Sequence, residues 1–384
     1  VIMNEHIQWH HTLRRDDKLI LKLFDDTEFP ASLLWTDFNP YGTTTIAVEI
    51  EGFNYSYAVI SSKSGRTYAT IFIGESGQYY KIISDPITLQ HYVIEINYEA
   101  ESDLVDAPPM IPPDLTEEEN LERIKFLEKE MSGRSTGPFD PATLDLMFVY
   151  TPAARSWADN SGGGLLNRMA NKLAWGQIAL NNSDVNITLR LVMITETVYA
   201  ESGSSGTDLT RFTNTNDGFM DEIHAKRNTV GADLCILFTH TGDAGGVAWL
   251  LTNINGMPDY GFSVTRITQN PAGFTFIHEI GHNLGGHHHK QQNVQPGPTN
   301  WSNWTGNNWS AGWVWTGLGG SHYASVMSYT SASHYNPPLN SNSYTRVPHF
   351  SNPSIIYDGV ATGHTVDGDN ARSIRGTKHA VAAY

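Results

Sequence analysis

Three histidines and a glutamate stand where they could hold a metal ion and move a proton. They lie in the stretch Phe276-Ile277-His278-Glu279-Ile280-Gly281-His282-Asn283-Leu284-Gly285-Gly286-His287-His288. On a helix, His278 and His282 are four residues apart, so both imidazoles leave one face and can bind one ion. Glu279 follows the first histidine directly, which brings its carboxylate beside the ion's open position, where it can take a proton from water. Gly285 lets the helix stop in a left-handed turn, so that His288 can swing back as the third ligand. Three neutral imidazoles are a zinc donor set that leaves a fourth site for water. His287 and His289 fall outside the ligand register and read as histidines of a solvated surface.

The elements that must position this set can be read from the whole chain. Its 384 residues can bury a large core, and 40% hydrophobic with 17% charged residues describes a globular rather than a disordered chain. A formal net charge of −16 argues against nucleic-acid binding through phosphate contacts. No apolar run approaches a membrane span, and no signal peptide begins at Val1. Because the chain starts without Met, a preceding segment is expected to be missing from this form. The single cysteine, Cys235, excludes an internal disulfide and lies in the apolar run Ala232–Phe238, where it reads as a small residue of a buried strand.

From Leu19 to about Ala100, apolar and polar residues alternate in short runs punctuated by Gly52, Gly65, Gly74 and Gly77. Thr44 to Ile50, Tyr55 to Val59, Tyr68 to Phe72, Tyr80 to Ile82 and Val93 to Tyr98 predict five or more antiparallel strands. His6, His10 and His11 read as solvated terminal histidines. The segment Ala107-Pro108-Pro109-Met110-Ile111-Pro112-Pro113 is stiff and extended. A capping box at Thr116 and Glu119 then opens a helix with Leu121, Ile124, Leu127 and Met131 on one face. Arg134-Ser135-Thr136-Gly137-Pro138 reads as an exposed linker open to proteolysis. These shifts divide the chain into a β-rich domain (1–106), a Pro-rich linker with a short helix and an activation site (107–139), and a third domain (140–384). In the third, Leu144 to Tyr150, Ile187 to Ile194 and Ala232 to Phe238 read as strands. Helical spacing over Leu166 to Leu180 and about Phe219 to Lys226 places helices between them, which predicts a mostly parallel sheet.

The order of Leu146 to Arg155, a Gly-Val-Ala edge strand, the extended histidine motif, Ser325-Val326-Met327-Ser328-Tyr329 and Phe350-Ser351-Asn352-Pro353 resembles the bacterial reprolysin-like metzincin peptidases, with a layout similar to peptidyl-Asp metalloendopeptidases. The resemblance covers about residues 140 to 384, and the β domain with its linker resembles their propeptides more loosely. It implies an α+β fold: a catalytic domain with a mixed, mostly parallel sheet and a long zinc-binding helix, preceded by an antiparallel β-rich prodomain. It implies a secreted bacterial enzyme. Met327 would underlie the histidines as a Met-turn without binding metal. Tyr329 would stand near the metal, where its hydroxyl can donate to a developing oxyanion. Gly246, Val247 and Ala248 would form the edge strand that pairs with extended substrate, and the chain from Thr330 to Asn352 would surround the pocket after the cut. There, Arg346 and His349 either favour an acidic side chain or are solvated. His289 stands where adamalysin-type members carry Asp, and animal members' disulfides are absent.

The expected chemistry is peptide-bond hydrolysis with Zn2+ on His278, His282 and His288 and with Glu279 as general base, acting on protein or peptide substrates. If the β domain is a propeptide that inhibits its own enzyme, no cysteine can block the zinc. A carboxylate is then the candidate, Asp106 first, with Asp103 and Glu101 behind it, against an ordinary acidic linker. Trp301, Trp304, Trp309, Trp313 and Trp315 read as packing for a long loop, with a ligand platform as the alternative. The alternative function is a secreted binding or adhesion module on an inactive scaffold, against which the intact Glu279 argues.

Overall fold

The computed structural model describes residues 14–74, 76–96, 103–294, 297–298, 309–336, 339 and 343–384. His6, His10, His11, Glu101, Trp301, Trp304 and the end of the Val93–Tyr98 strand lie outside the described residues. The chain divides into two compact units. One holds the residues up to Asp103 together with Ala153–Trp175 and Asn270–Ala272, and the other holds Leu104–Pro152, Gly176–Gln269 and Gly273–Tyr384.

The first unit is built on an antiparallel meander of β1 (Lys18–Phe24), β2 (Thr27–Phe38), β3 (Thr44–Ile50), β4 (Tyr57–Lys63), β5 (Arg66–Ile73), β6 (Gln78–Ser84) and β7 (His91–Ile96), paired in chain order. In β3 and β6 the predicted stripe is realised, with Ile46, Val48, Ile50, Tyr80 and Ile82 in one buried cluster. Strands β4 and β5 are buried on both faces and give that cluster Ala58, Ile60, Ala69 and Ile71 rather than the expected Tyr57, Val59, Tyr68 and Thr70. Against the other face, Asn171 donates to the Val59 and Tyr68 carbonyls and accepts from Thr70, whose hydroxyl also accepts from the Trp175 indole at 2.6 Å. These bonds tie a helical stretch from later in the chain to the sheet.

In the second unit, α1 (Glu117–Glu130) begins with the capping box read from Thr116 and Glu119. A five-stranded sheet follows, in the order β11 (Gly246–Ala248), β12 (Phe262–Arg266), β10 (Leu234–Thr239), β8 (Ala142–Tyr150), β9 (Ile187–Glu196). All of its pairs are parallel except β11 with β12. Cys235 is fully buried in β10.

Helices α2 (Pro152–Asn160), α3 (Leu165–Asn182), α4 (Ser205–Thr213) and α5 (Glu222–Val230) connect the strands. The helix expected from Phe219 starts three residues later, because the Asp221 carboxylate accepts from the backbone of Asp217 and Gly218 and holds a turn there. The histidine helix α6 (Thr275–Asn283) is nine residues long, not the long helix expected. Left-handed backbone bounds it at Phe274 and Gly285. Small sheets of β13 (Val314–Thr316), β14 (His322–Ala324) and β15 (Thr345–Arg346), and of β16 (Ile356–Tyr357) and β17 (Val360–Ala361), precede the last helix, α7 (Asn370–Val381).

Asp233, at the entrance to β10, is 5% exposed, and its Oδ2 accepts from the Asp145 amide at 2.7 Å. Burial first, then neighbouring Asp145, pushes its carboxyl up to about 7. A carboxyl raised in the fold stabilises fully below its unfolded value near 4, and that contribution is lost as pH rises through 7. Asp233→Asn is therefore expected to remove a loss of up to about 4 kcal/mol between pH 4 and 8. Thermal melts of both proteins across that range check it; parallel pH profiles would refute it.

Candidate metal centre and cleft

Helix α6 is buried along its whole length. His278 and His282 leave it one turn apart, and the chain turns at Gly285, where φ is +84°, to return His288. The three Nε2 atoms converge at 3.1, 3.2 and 3.2 Å. His278 Nδ1 donates to the Val326 carbonyl and His282 Nδ1 to the Gly286 carbonyl, both at 2.8 Å. This leaves the Nε2 lone pairs facing one another. Burial holds all three imidazoles well below the usual histidine range, so they are neutral.

Converging neutral lone pairs repel unless a cation lies between them. A tetrahedral ion with bonds of about 2.0–2.1 Å spaces its nitrogens about 3.4 Å apart, close to the observed separations. The imidazole set, with the Nδ1 atoms of His278 and His282 anchored on backbone carbonyls, fits a divalent transition metal.

Glu279 is fully buried, and among the described residues neither of its carboxylate oxygens has a hydrogen-bond partner. Burial first, then Asp106, pushes its carboxyl well above the usual range, and Arg346 opposes this. The carboxylate lies against β11: a Cβ on Gly246 would sit 2.7 Å from Glu279 Oε1. Gly246→Ala is therefore expected to displace the carboxylate, costing about 1–3 kcal/mol of stability and at least tenfold in turnover. Melting temperature and kcat of the variant check this; wild-type turnover would show that no close approach exists.

Met327 is fully buried, and a Cβ on Gly281 would lie 2.6 Å from its sulfur. The glycine between the helix histidines thus admits the thioether beneath them. Tyr329 is buried with its ring 4.8 Å from that of His288, and its hydroxyl donates to the Asp106 carbonyl at 2.6 Å.

The segment from Leu104 to Met110 runs along β11 in the parallel sense. Gly245 donates to Val105, Ala107 to Gly246 and Met110 to Ala248, at 2.8 to 3.0 Å, and Leu250 donates to Met110. Gln269 grips Leu104 at both backbone groups, accepting from its amide at 3.0 Å and donating to its carbonyl at 2.7 Å. Asp106 is 4% exposed; its Oδ1 accepts from Thr275 at 2.7 Å and its Oδ2 from Arg346 at 3.1 Å. It approaches His278 at Nδ1, 4.0 Å away, and its carboxylate groups with His278 and Glu279 within 4.8 Å.

Several expectations are corrected. Arg346 and His349 are buried rather than solvated. Arg346 bonds the Ser328 and Gly273 carbonyls as well as Asp106. His287 and His289 are also buried, because the chain beyond the third histidine folds back over them. His287 accepts at its carbonyl from Gly312 and Asn370, and His289 packs between Trp313 and Tyr335. Of the tryptophans, Trp313 stacks on His364, and Trp315 packs with Tyr323 and Tyr357. Sequence reasoning missed Gln269 and Thr275, which carry no motif.

Residues 170–289 match the family model for reprolysin-like metallopeptidases of family M12B. The chain is 29% identical over 330 residues to a peptidyl-Asp metalloendopeptidase of Stenotrophomonas maltophilia, covering 85% of this chain and 70% of the relative. A second, from Xanthomonas campestris, is 30% identical over 246 residues, covering 64% of this chain and 52% of the relative. The solved metalloproteinase-II from Bacteroides fragilis overlaps 74% of this chain and 85% of its own at 14% identity, with a TM-score of 0.47. The chain carries a reprolysin-like metallopeptidase domain and is a homologue of the bacterial peptidyl-Asp metalloendopeptidases, which makes it a metalloendopeptidase.

Proposed function

We propose that this chain is the latent form of a secreted bacterial zinc endopeptidase whose own propeptide fills its substrate groove. The observation that carries the catalytic part is the convergence of three buried Nε2 atoms beside a buried carboxylate without a hydrogen-bond partner among the described residues. His278, His282 and His288 would hold the ion. When bound, it supplies Lewis acidity, making water nucleophilic at neutral pH and polarising the peptide carbonyl. Glu279 accepts the proton of the attacking water and returns it to the leaving amine. Its burial keeps it from diverting to other partners. Tyr329, freed of its bond to Asp106, donates its hydroxyl to the developing oxyanion. Met327 supports the histidines from below. An inactive binding scaffold would have no use for the desolvated Glu279.

Substrate would lie antiparallel on Gly246–Ala248, using the backbone groups that Ala107 and Met110 engage here. That shared use, with the Tyr329 hydroxyl tied to the Asp106 carbonyl, supports latency. The Asp106 carboxylate, expected to block the zinc, is instead held by Thr275 and Arg346 and nears His278 only at Nδ1. It secures the segment in the groove rather than standing at the converging Nε2 atoms. In this reading residues 1–106 are the prodomain, 107–139 the linker with the activation site, and 140–384 the catalytic domain. The relatives' name adds that the bond cut adjoins an aspartate.

The test is to measure metal content and casein hydrolysis before and after limited trypsin treatment, with trypsin then inhibited. One zinc per chain and chelator-sensitive hydrolysis that appears after the cut are expected. Chelation should also lower the melting temperature, because an ion at about a thousand times its Kd stabilises by about 4 kcal/mol. Metal-loaded, processed protein that cuts no peptide would refute the reading.

A further inference from the structure

We propose that Thr275 and Arg346 form the receptor for an acidic side chain of the substrate, and that Asp106 occupies it here as an internal stand-in. This rests on the peptidase reading above and names the residues that select the substrate.

Asp106 and Arg346 are both nearly inaccessible, at 4% and 8% exposure. Taking a carboxylate and a guanidinium out of water is costly unless each is fully hydrogen-bonded. Here the geometry meets that demand. One carboxylate oxygen accepts from Thr275 at 2.7 Å and the other from Arg346 at 3.1 Å.

The receptor does not depend on Asp106 for its shape. Arg346 Nη1 also donates to the Gly273 carbonyl at 2.9 Å, and its Nε to the Ser328 carbonyl at 3.1 Å. The guanidinium is thereby anchored both to the loop before α6 and to the loop between Met327 and Tyr329. Thr275 opens α6 itself. All of these groups stay with the metal centre when the Leu104–Met110 segment leaves. A buried cation that loses its carboxylate favours another anion in its place.

The receptor is also in reach of the chemistry. The residue whose carboxylate fills it is the one whose carbonyl accepts from Tyr329 at 2.6 Å. A substrate that puts its carbonyl at Tyr329 therefore has an adjacent side chain beside Arg346. The segment runs parallel to β11 whereas substrate would run antiparallel, so the acidic residue is tested on both sides of the cut bond. Gly245 leaves the approach clear, since a Cβ there would come within 2.6 Å of both Asp106 Oδ1 and Gln269 Nε2.

The experiment uses trypsin-processed enzyme and fluorogenic peptides identical except for Asp, Asn or Lys on one side of the cut bond, then the other. The expected result is a kcat/KM for Asp over Asn of about tenfold to a hundredfold on one side. Arg346→Gln should remove that preference, lowering kcat/KM for the Asp peptide about tenfold more than for the Asn peptide. Should Arg346→Gln fail to fold, Thr275→Val, which deletes one hydroxyl, should cut the preference severalfold with metal content unchanged. As a readout apart from turnover, metal-loaded Glu279→Gln should bind the Asp peptide more tightly than the Asn peptide, and adding Arg346→Gln should abolish the difference. Equal cleavage of Asp and Asn peptides, or a loss in Arg346→Gln that is the same for both, would overturn this inference alone. Absence of any peptide cleavage by processed, metal-loaded wild type would overturn the peptidase reading and this inference with it.

Discussion

Glu279→Ala is expected to lower kcat of the processed enzyme by about a hundredfold to ten-thousandfold, the usual contribution of a positioned general base. Metal content should be unchanged, because the three imidazoles and their anchors to Val326 and Gly286 are untouched. The melting temperature should hold or rise. Among the described residues the carboxylate has no hydrogen-bond partner to lose, and its burial disfavours the charged form. Zinc stoichiometry, melting and kcat measured on one preparation separate these effects. A variant that keeps its metal and its turnover would remove Glu279 from the mechanism.

The other large effect is release from the groove. Cutting the exposed stretch at Arg134 should raise activity by about a hundredfold or more once the upstream part leaves. The occupant is intramolecular, at an effective concentration in the millimolar range or above, so substrate competes poorly until the tether is cut. Departure also requires undocking α1, whose Arg123 bonds the Asn255 and Ala380 carbonyls. Activity should therefore lag behind the cut. In the uncut chain, Ala107→Pro deletes the donor to Gly246 and should raise basal turnover severalfold, since one such bond contributes about 0.5–1.5 kcal/mol. Turnover of Glu279→Ala under the same trypsin treatment is the blank. Full activity before any cut would show that the segment does not inhibit.

The histidine triad was legible because its parts are local. Four-residue spacing on a helix fixes two imidazoles on one face, and a glycine at the stop returns the third, whatever the rest of the chain does. The strands of the meander were legible for the same reason, although in β4 and β5, buried on both faces, alternation does not report which side meets the core cluster. Helices α4 and α7 were not read. The first owes its start to the Ser204 cap rather than to a long apolar stripe, and the second carries a buried Lys378 that donates to Val185, which makes its core face look polar.

The sequence by itself determined the three imidazoles, their register and the carboxylate beside them, because helix geometry converts residue spacing directly into position. Only the tertiary structure decided what stands opposite them. Asp106 meets Thr275 across 169 residues and Arg346 across 240, and no local pattern encodes a contact at that separation. Burial had the same origin: His287, His289, Arg346 and His349 look like surface residues by type. They lie inside because chain from distant positions folds over them, and their hydrogen-bonding or ring partners exist only once it has.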